Sequence, residues 1–154
     1  MRKTKVFLAA PFQNVMNSAE KKMNNEDVTS LSRLIQFLEK NGCEVHNAHL
    51  REKWGEEWMH PDVCTKIDYD EISKADILIA FPGKYPSGGV HIELGWASAL
   101  GKRIILLLEK SNGYSNLVIG LKKVANVEYI YYSNEAEYYE KLIELLHKPT
   151  NTCA

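Results

Sequence analysis

Cysteine is scarce in this chain: of 154 residues, three are cysteine, Cys43, Cys64 and Cys153. The number is odd and no CxxC spacing occurs, which argues against a disulfide framework and for a reducing compartment. There is also no basic run, and the formal net charge is −1. A nucleic-acid polymer therefore finds no electrostatic footprint and is not an expected partner. Long hydrophobic runs are missing as well. Met1 to Lys5 leads into an apolar stretch of about five residues, too short for a signal-peptide core or a membrane span, so a cytoplasmic protein without a membrane partner is expected. No internal repeat or low-complexity tract is present. What remains is 45% hydrophobic and 25% charged residues, an ordinary soluble composition. The length suits one domain, 1–154, which can bury a core without disulfide or metal staples.

The stretch around which the rest is organised runs from Pro82 to Lys102, PGKYPSGGVHIELGWASALGK. An apolar run ending at Phe81 meets a Pro/Ser/Gly-rich turn and then an amphipathic segment closed by Gly101, which reads as strand, loop and helix. Upstream, Lys5 to Ala10 is expected as a buried strand stopped by Pro11, and Asn14 to Asn25 as a polar loop above the strand ends, a candidate lid. Val28, Leu31, Leu34, Ile35 and Leu38 recur at helical spacing up to Asn41-Gly42. Glu44 to His49 reads as a second strand, Leu50 to Asp62 as an aromatic-bearing connection, and Pro61 or Asp62 to Lys74 as a helix before the strand Asp76 to Phe81. Arg103 to Glu109 is a buried strand, Ser115 to Lys123 a short helix, Val127 to Tyr132 a fifth strand and Asn134 to His147 a final helix.

Strands alternating with helices, two of them uniformly apolar, predict an α/β fold: a doubly wound, five-stranded parallel sheet in the flavodoxin-like order 2-1-3-4-5. Such sheets bind ligands beyond the carboxyl ends of the strands at the switch point, here between the first and third strands. Ala10 to Gln13, Asn47 to Trp54, Pro82 to Gly89 and Lys110 to Asn116 arrive there.

The helix opening at Ser87, Gly88 and Gly89 offers unpaired N–H groups to an anion, and the glycines allow a phosphate to approach closely. Glu93 follows one turn later, where proximity to the helix start favours its ionised form. A charged carboxylate beside a phosphate-sized pocket is how a carboxylate nucleophile would be built, although most helix glutamates are simply solvated. His46 and His49 do not make a metal pair: residues three apart on a strand face opposite sides, and no cysteine or acid completes a set. No metal or other cofactor is expected. His49 reads as a hydrogen-bonding group at the site rim, and His91 as helix surface or a support for the site.

Five segments in order carry a resemblance: Phe7 to Phe12 (FLAAPF), Asn47 to Gly55 (NAHLREKWG), Asp68 to Ile72 (DYDEI), Ala75 to Gly83 (ADILIAFPG) and His91 to Lys102 (HIELGWASALGK). Together they resemble the nucleoside 2-deoxyribosyltransferase superfamily, and within it the cytidylate N-glycosidases of mildiomycin- and blasticidin-type pathways. The resemblance implies that Glu93 is the nucleophile and Asp68 its assistant. It also implies that Ser87, Gly88 and Gly89 hold a 5′-phosphate, with Ser115 adding a donor from a neighbouring subunit. Phe7 and Phe12 would flank a pyrimidine, with Ala10, Pro11, His49 and Gly83 around the substrate. In mildiomycin-type relatives an arginine after the Pro-Phe pair reads the base substituent; here Gln13 stands there, so CMP or dCMP competes with the hydroxymethylated nucleotide.

The implied reaction is retaining hydrolysis of a pyrimidine nucleoside 5′-monophosphate through a Glu93 glycosyl ester, for which carboxyl groups roughly 5–5.5 Å apart are suited. Base exchange between deoxynucleosides is an alternative, and a non-catalytic nucleotide-binding module is another. A homodimer or a dimer of dimers is expected, because relatives complete the pocket from an adjacent subunit and Trp96, Tyr114 and Tyr129 to Tyr132 would suit an isologous contact.

Overall fold

Apolar runs that need cover on both faces build a parallel sheet, and the computed structural model has one. The structure describes residues 1–11, 16–17, 22–23, 25–83 and 87–148. In chain order it forms β1 (Thr4–Ala9), a short antiparallel ribbon of β2 (Met16–Asn17) and β3 (Lys22–Met23), α1 (Asn25–Lys40), β4 (Cys43–Asn47), α2 (Ala48–Arg51), α3 (Pro61–Lys74), β5 (Ile77–Ala80), α4 (Gly88–Ala99), β6 (Arg103–Glu109), α5 (Asn116–Gly120), β7 (Val127–Tyr132) and α6 (Glu135–Leu146). Five strands pair in parallel in the order β4-β1-β5-β6-β7. Counting the sheet strands alone, this is the expected 2-1-3-4-5.

Strand alternation divides the core in two. Val6, Leu8, Ile77, Ile79, Ile105 and Leu107 pack with Leu34 and Leu38 of α1 and Leu142 of α6. Their neighbours Phe7, Ala9, Leu78, Ala80, Ile104 and Leu106 pack instead with Ile72 of α3 and Leu94 and Ala97 of α4. A slip of one residue would exchange the two sets, so the register is pinned by both layers at once. From β1 the chain crosses to β4 on one side and, later, to β5 on the other, which opens a cleft at the carboxyl end of β1.

Three local differences from the sequence-based expectation bear on the site. The second sheet strand stops at Asn47 rather than running to His49. Asn47 is a helix N-cap: its Oδ1 accepts from Leu50 N at 3.0 Å, so α2 begins where strand alternation alone would have continued. The connection after Leu50 is also tightly wound. Lys53, Trp54 and Gly55 have φ of 46°, 58° and 94° in succession, and the left-handed region costs each of the two non-glycine residues about 1–2 kcal/mol. Finally, the stretch expected as one loop from Asn14 holds the β2–β3 ribbon, and α1 starts at Asn25, with Glu26 and Asp27 in its first turn favoured by the helix dipole. The remaining residues of that expected lid, with Phe12 and Gln13, lie outside the described residues.

Candidate active site

A cavity of about 440 Å³ lies beyond the carboxyl end of β1, on the α3/α4 side of the sheet. Its floor is Phe7 to Ala9 of β1 with Ala10 after them, one wall is α2 with His49 and its C-cap Glu52, another is α3 with Asp68, and the last is the start of α4 with Ser87, Gly88, Gly89 and Glu93. Eight of the residues singled out from the sequence thus line one space: Phe7, Ala10, His49, Asp68, Ser87, Gly88, Gly89 and Glu93. Pro11 and Gly83 line a second cavity of about 380 Å³ on the α1/α6 side. Ser115 lines neither; it caps α5, accepting from Leu117 N at 3.3 Å.

The α4 end is open to an anion. Ser87 is its N-cap, accepting from Val90 N at 3.5 Å, which leaves the hydroxyl hydrogen for another acceptor. A Cβ built on Gly88 meets nothing within 4 Å, and one on Gly89 meets only Ser87 Oγ at 4.0 Å. Neither glycine has a positive φ, so backbone strain does not account for them; clear space over the helix end does. His91 Nδ1 lies 2.7 Å from the Ser87 carbonyl and braces the cap from below.

The two carboxyl groups sit in a charged network. Arg51 donates from Nη1 to Asp68 Oδ1 at 2.7 Å and, from the same nitrogen, faces His46 Nε2 at 2.9 Å. Both members of the Arg51–Asp68 pair are largely buried, at 14% and 15% side-chain exposure. Arg51 Nε and Nη2 are buried without a partner, so the guanidinium has donating capacity to spare beside the carboxylates. Burial, with the Arg51 charge adding to it, lowers His46 and keeps it a neutral acceptor.

Glu93 departs from the expectation that it is ionised. Burial pushes its carboxyl up to about 8, the negative charge of Asp68 pushes the same way, and Arg51 opposes both. Glu93 is the sixth residue of α4, past the first turn in which a helix dipole stabilises an anion, so desolvation prevails. At neutral pH Glu93 therefore keeps its proton in the folded protein, with the Arg51–Asp68 ion pair beside it.

The α2 wall is registered to the sheet through one side chain. Asn47 donates from Nδ2 to Leu8 O at 3.0 Å and faces His49 Nδ1 at 3.4 Å, while His49 Nε2 faces Pro11 O at 3.3 Å. His49 is therefore the Nε2–H tautomer, and burial lowers it to about 4, so it stays neutral. At 2% exposure it is part of the wall, not of the rim. His46 and His49 have separate partners, and among the described residues no group of three or more His, Cys, Asp or Glu is placed to hold a metal.

Two site residues escaped the sequence reading. Arg51 and Glu52 both stand in NAHLREKWG, where alternating charges look like a solvated surface. The signal that would have found them is the Asn47 cap, which turns the next residues inward. Asp70, by contrast, faces solvent and pairs with Lys66.

Solved structures decide the family. A CMP N-glycosidase of Clostridium botulinum, BcmB, is 42% identical, covering 90% of this chain and 98% of that one at a TM-score of 0.69. BlsM is 40% identical, covering 98% of each chain at a TM-score of 0.77. The chain belongs to the nucleoside 2-deoxyribosyltransferase superfamily, in its CMP N-glycosidase branch. A 2-deoxyribosyltransferase of Bacillus psychrosaccharolyticus, at 22% identity, 91% and 90% coverage and a TM-score of 0.61, shares the fold. No protein-family model and no curated protein matches. The family assignment makes this a nucleoside-processing protein, and no helix among the described residues is long and apolar enough to cross a membrane.

Proposed function

We propose that the protein hydrolyses the N-glycosidic bond of a pyrimidine nucleoside 5′-monophosphate, releasing the base and (deoxy)ribose 5-phosphate with retention. The observation that carries this reading is that Glu93 and Asp68 line one cavity with the open start of α4. A phosphate held by Ser87 Oγ and the first N–H groups of α4 sets the sugar across the cavity mouth, so that C1′ meets Glu93.

The proton held by Glu93 supports the chemistry. Glu93 passes its proton to Asp68 and attacks C1′ through the freed carboxylate oxygen; the bond to the base breaks, and Asp68 delivers the proton to the departing base. In the second half, Asp68 takes a proton from water, the water oxygen attacks C1′ and the Glu93 ester opens. Arg51 keeps Asp68 in place through both halves and offsets the negative charge that each step leaves behind.

The test is chromatography of the protein incubated with CMP, dCMP, UMP and the corresponding nucleosides. Free base from a pyrimidine nucleotide is expected, lost by several orders of magnitude in Glu93→Ala while the nucleotide still protects that variant against heat. Near wild-type turnover by Glu93→Ala would remove the nucleophile assignment. Formation of a new nucleoside from a deoxynucleoside and a free base, without net hydrolysis, would replace hydrolysis by base exchange.

A further inference from the structure

The α2 wall holds a carboxylate that the reaction above does not use. Glu52 is 6% exposed and lines the same cavity as Glu93. Among the described residues it has one side-chain hydrogen bond, from Met59 N to Oε1 at 3.1 Å, and no cation pairs with it. A buried carboxylate without a counter-charge costs stability, so packing does not account for its presence. The backbone beside it is held in an unfavourable form: the left-handed Lys53-Trp54-Gly55 turn brings the chain back so that Met59 N–H reaches the Glu52 side chain. Strain kept beside a cavity points to a group that must stand in one place.

With the phosphate at α4 and C1′ at Glu93, the α2 wall is left to the base. His49 turns both ring nitrogens to protein atoms and offers the ligand a flat face. Glu52 is the charged side chain on that wall, and an ionised carboxylate only accepts hydrogen bonds. Cytosine presents an amino group at C4, a donor; uracil presents a carbonyl oxygen there, which a carboxylate repels.

We propose that Glu52 selects cytosine over uracil, its Oε2 accepting a hydrogen bond from the exocyclic amine while Oε1 stays on Met59 N–H. The proposal rests on the nucleotide reading above and deepens it by naming the residue that discriminates the base. It makes Glu52 a specificity-determining residue with no part in bond cleavage.

The experiment compares kcat/KM for CMP and UMP in the wild type and in Glu52→Gln. Glutamine keeps an acceptor for Met59 N–H, so the turn is retained, but its amide can rotate to suit either base. The CMP-to-UMP ratio is expected to fall by about 10- to 100-fold, while inhibition by ribose 5-phosphate, which touches only the α4 end, stays unchanged. An unchanged ratio overturns the proposal. So does an equal loss on both substrates with weaker ribose 5-phosphate inhibition, because that pattern describes a structural residue. Should the wild type release no base from either nucleotide, the glycosidase reading fails and thermal protection decides Glu52 by itself. Stronger protection by CMP than by UMP, lost in Glu52→Gln, sustains the role; equal protection of the wild type by both overturns it.

Discussion

Replacing Glu93 by glutamine should make the protein more stable in alkaline solution, and the size of the effect follows from the site. In the folded protein Glu93 holds its proton to about pH 8, whereas an unperturbed glutamate releases it near 4.5. Between those values the folded state binds more protons than the unfolded one, so this group's contribution to stability falls as pH rises. The slope reaches at most about 1.4 kcal/mol per pH unit. Glu93 keeps some contact with solvent, which screens part of the penalty, and a total of ~2–4 kcal/mol across the window is the working figure. Glutamine cannot ionise and lacks this limb. Thermal unfolding followed by circular dichroism, from pH 5 to pH 9 in buffers free of phosphate, should show similar melting temperatures at pH 5. At pH 9 the variant should melt ~5–15 °C higher than the wild type. Parallel curves over the whole range would refute the claim that desolvation, rather than the helix start, governs this carboxyl group. The same titration predicts that kcat/KM of the wild type falls as pH rises through about 8, where Glu93 loses the proton that the proposed mechanism passes through Asp68 to the base.

Three further outcomes are expected. Arg51→Met leaves Asp68 buried without its cation, so urea unfolding should report a loss of about 3 kcal/mol and the falling limb of the pH–rate profile should move to higher pH; an unmoved limb would separate Arg51 from the carboxyl pair. Ser87→Ala should weaken nucleotide binding by about 1.5–3 kcal/mol without altering the weaker binding of nucleosides, as titration calorimetry would show; equal losses on both would take Ser87 away from the phosphate. Light scattering should find a dimer or a pair of dimers at micromolar concentration, with the exposed Ile92 and Leu117 available to an interface. A fully active monomer would eliminate a trans role for Ser115.

The parts of the fold legible in the sequence were those where a single physical demand dominates. Ile77 to Ala80 and Ile104 to Leu108 are buried throughout, and apolar runs this short, bounded by turn residues, suit a strand covered on both faces. The pair Glu93 and Asp68 was legible only through the motif resemblance, since each acid alone looks like helix surface. His49 was misplaced because EVHNAH satisfies strand alternation and the competing signal is one capping side chain. Arg51 stayed hidden for a different reason: its partner Asp68 is 17 positions away, and no local pattern announces that pairing. The proton on Glu93 was missed because the distance from the helix start can be read along the chain, while the loss of water around the carboxyl depends on three other segments.

Asn47 gives the pocket a fixed jaw. Its amide ends β4, starts α2 and grips Leu8 of the adjacent strand, so the segment bearing Arg51 and Glu52 is clamped to the segment bearing Phe7. The gap between those jaws inherits the repeat of a β-ladder, about 4.7–4.9 Å from strand to strand, and with it the placement error of a sheet instead of that of a surface loop. Reading the edge of a planar base, the role proposed for Glu52, demands that tolerance.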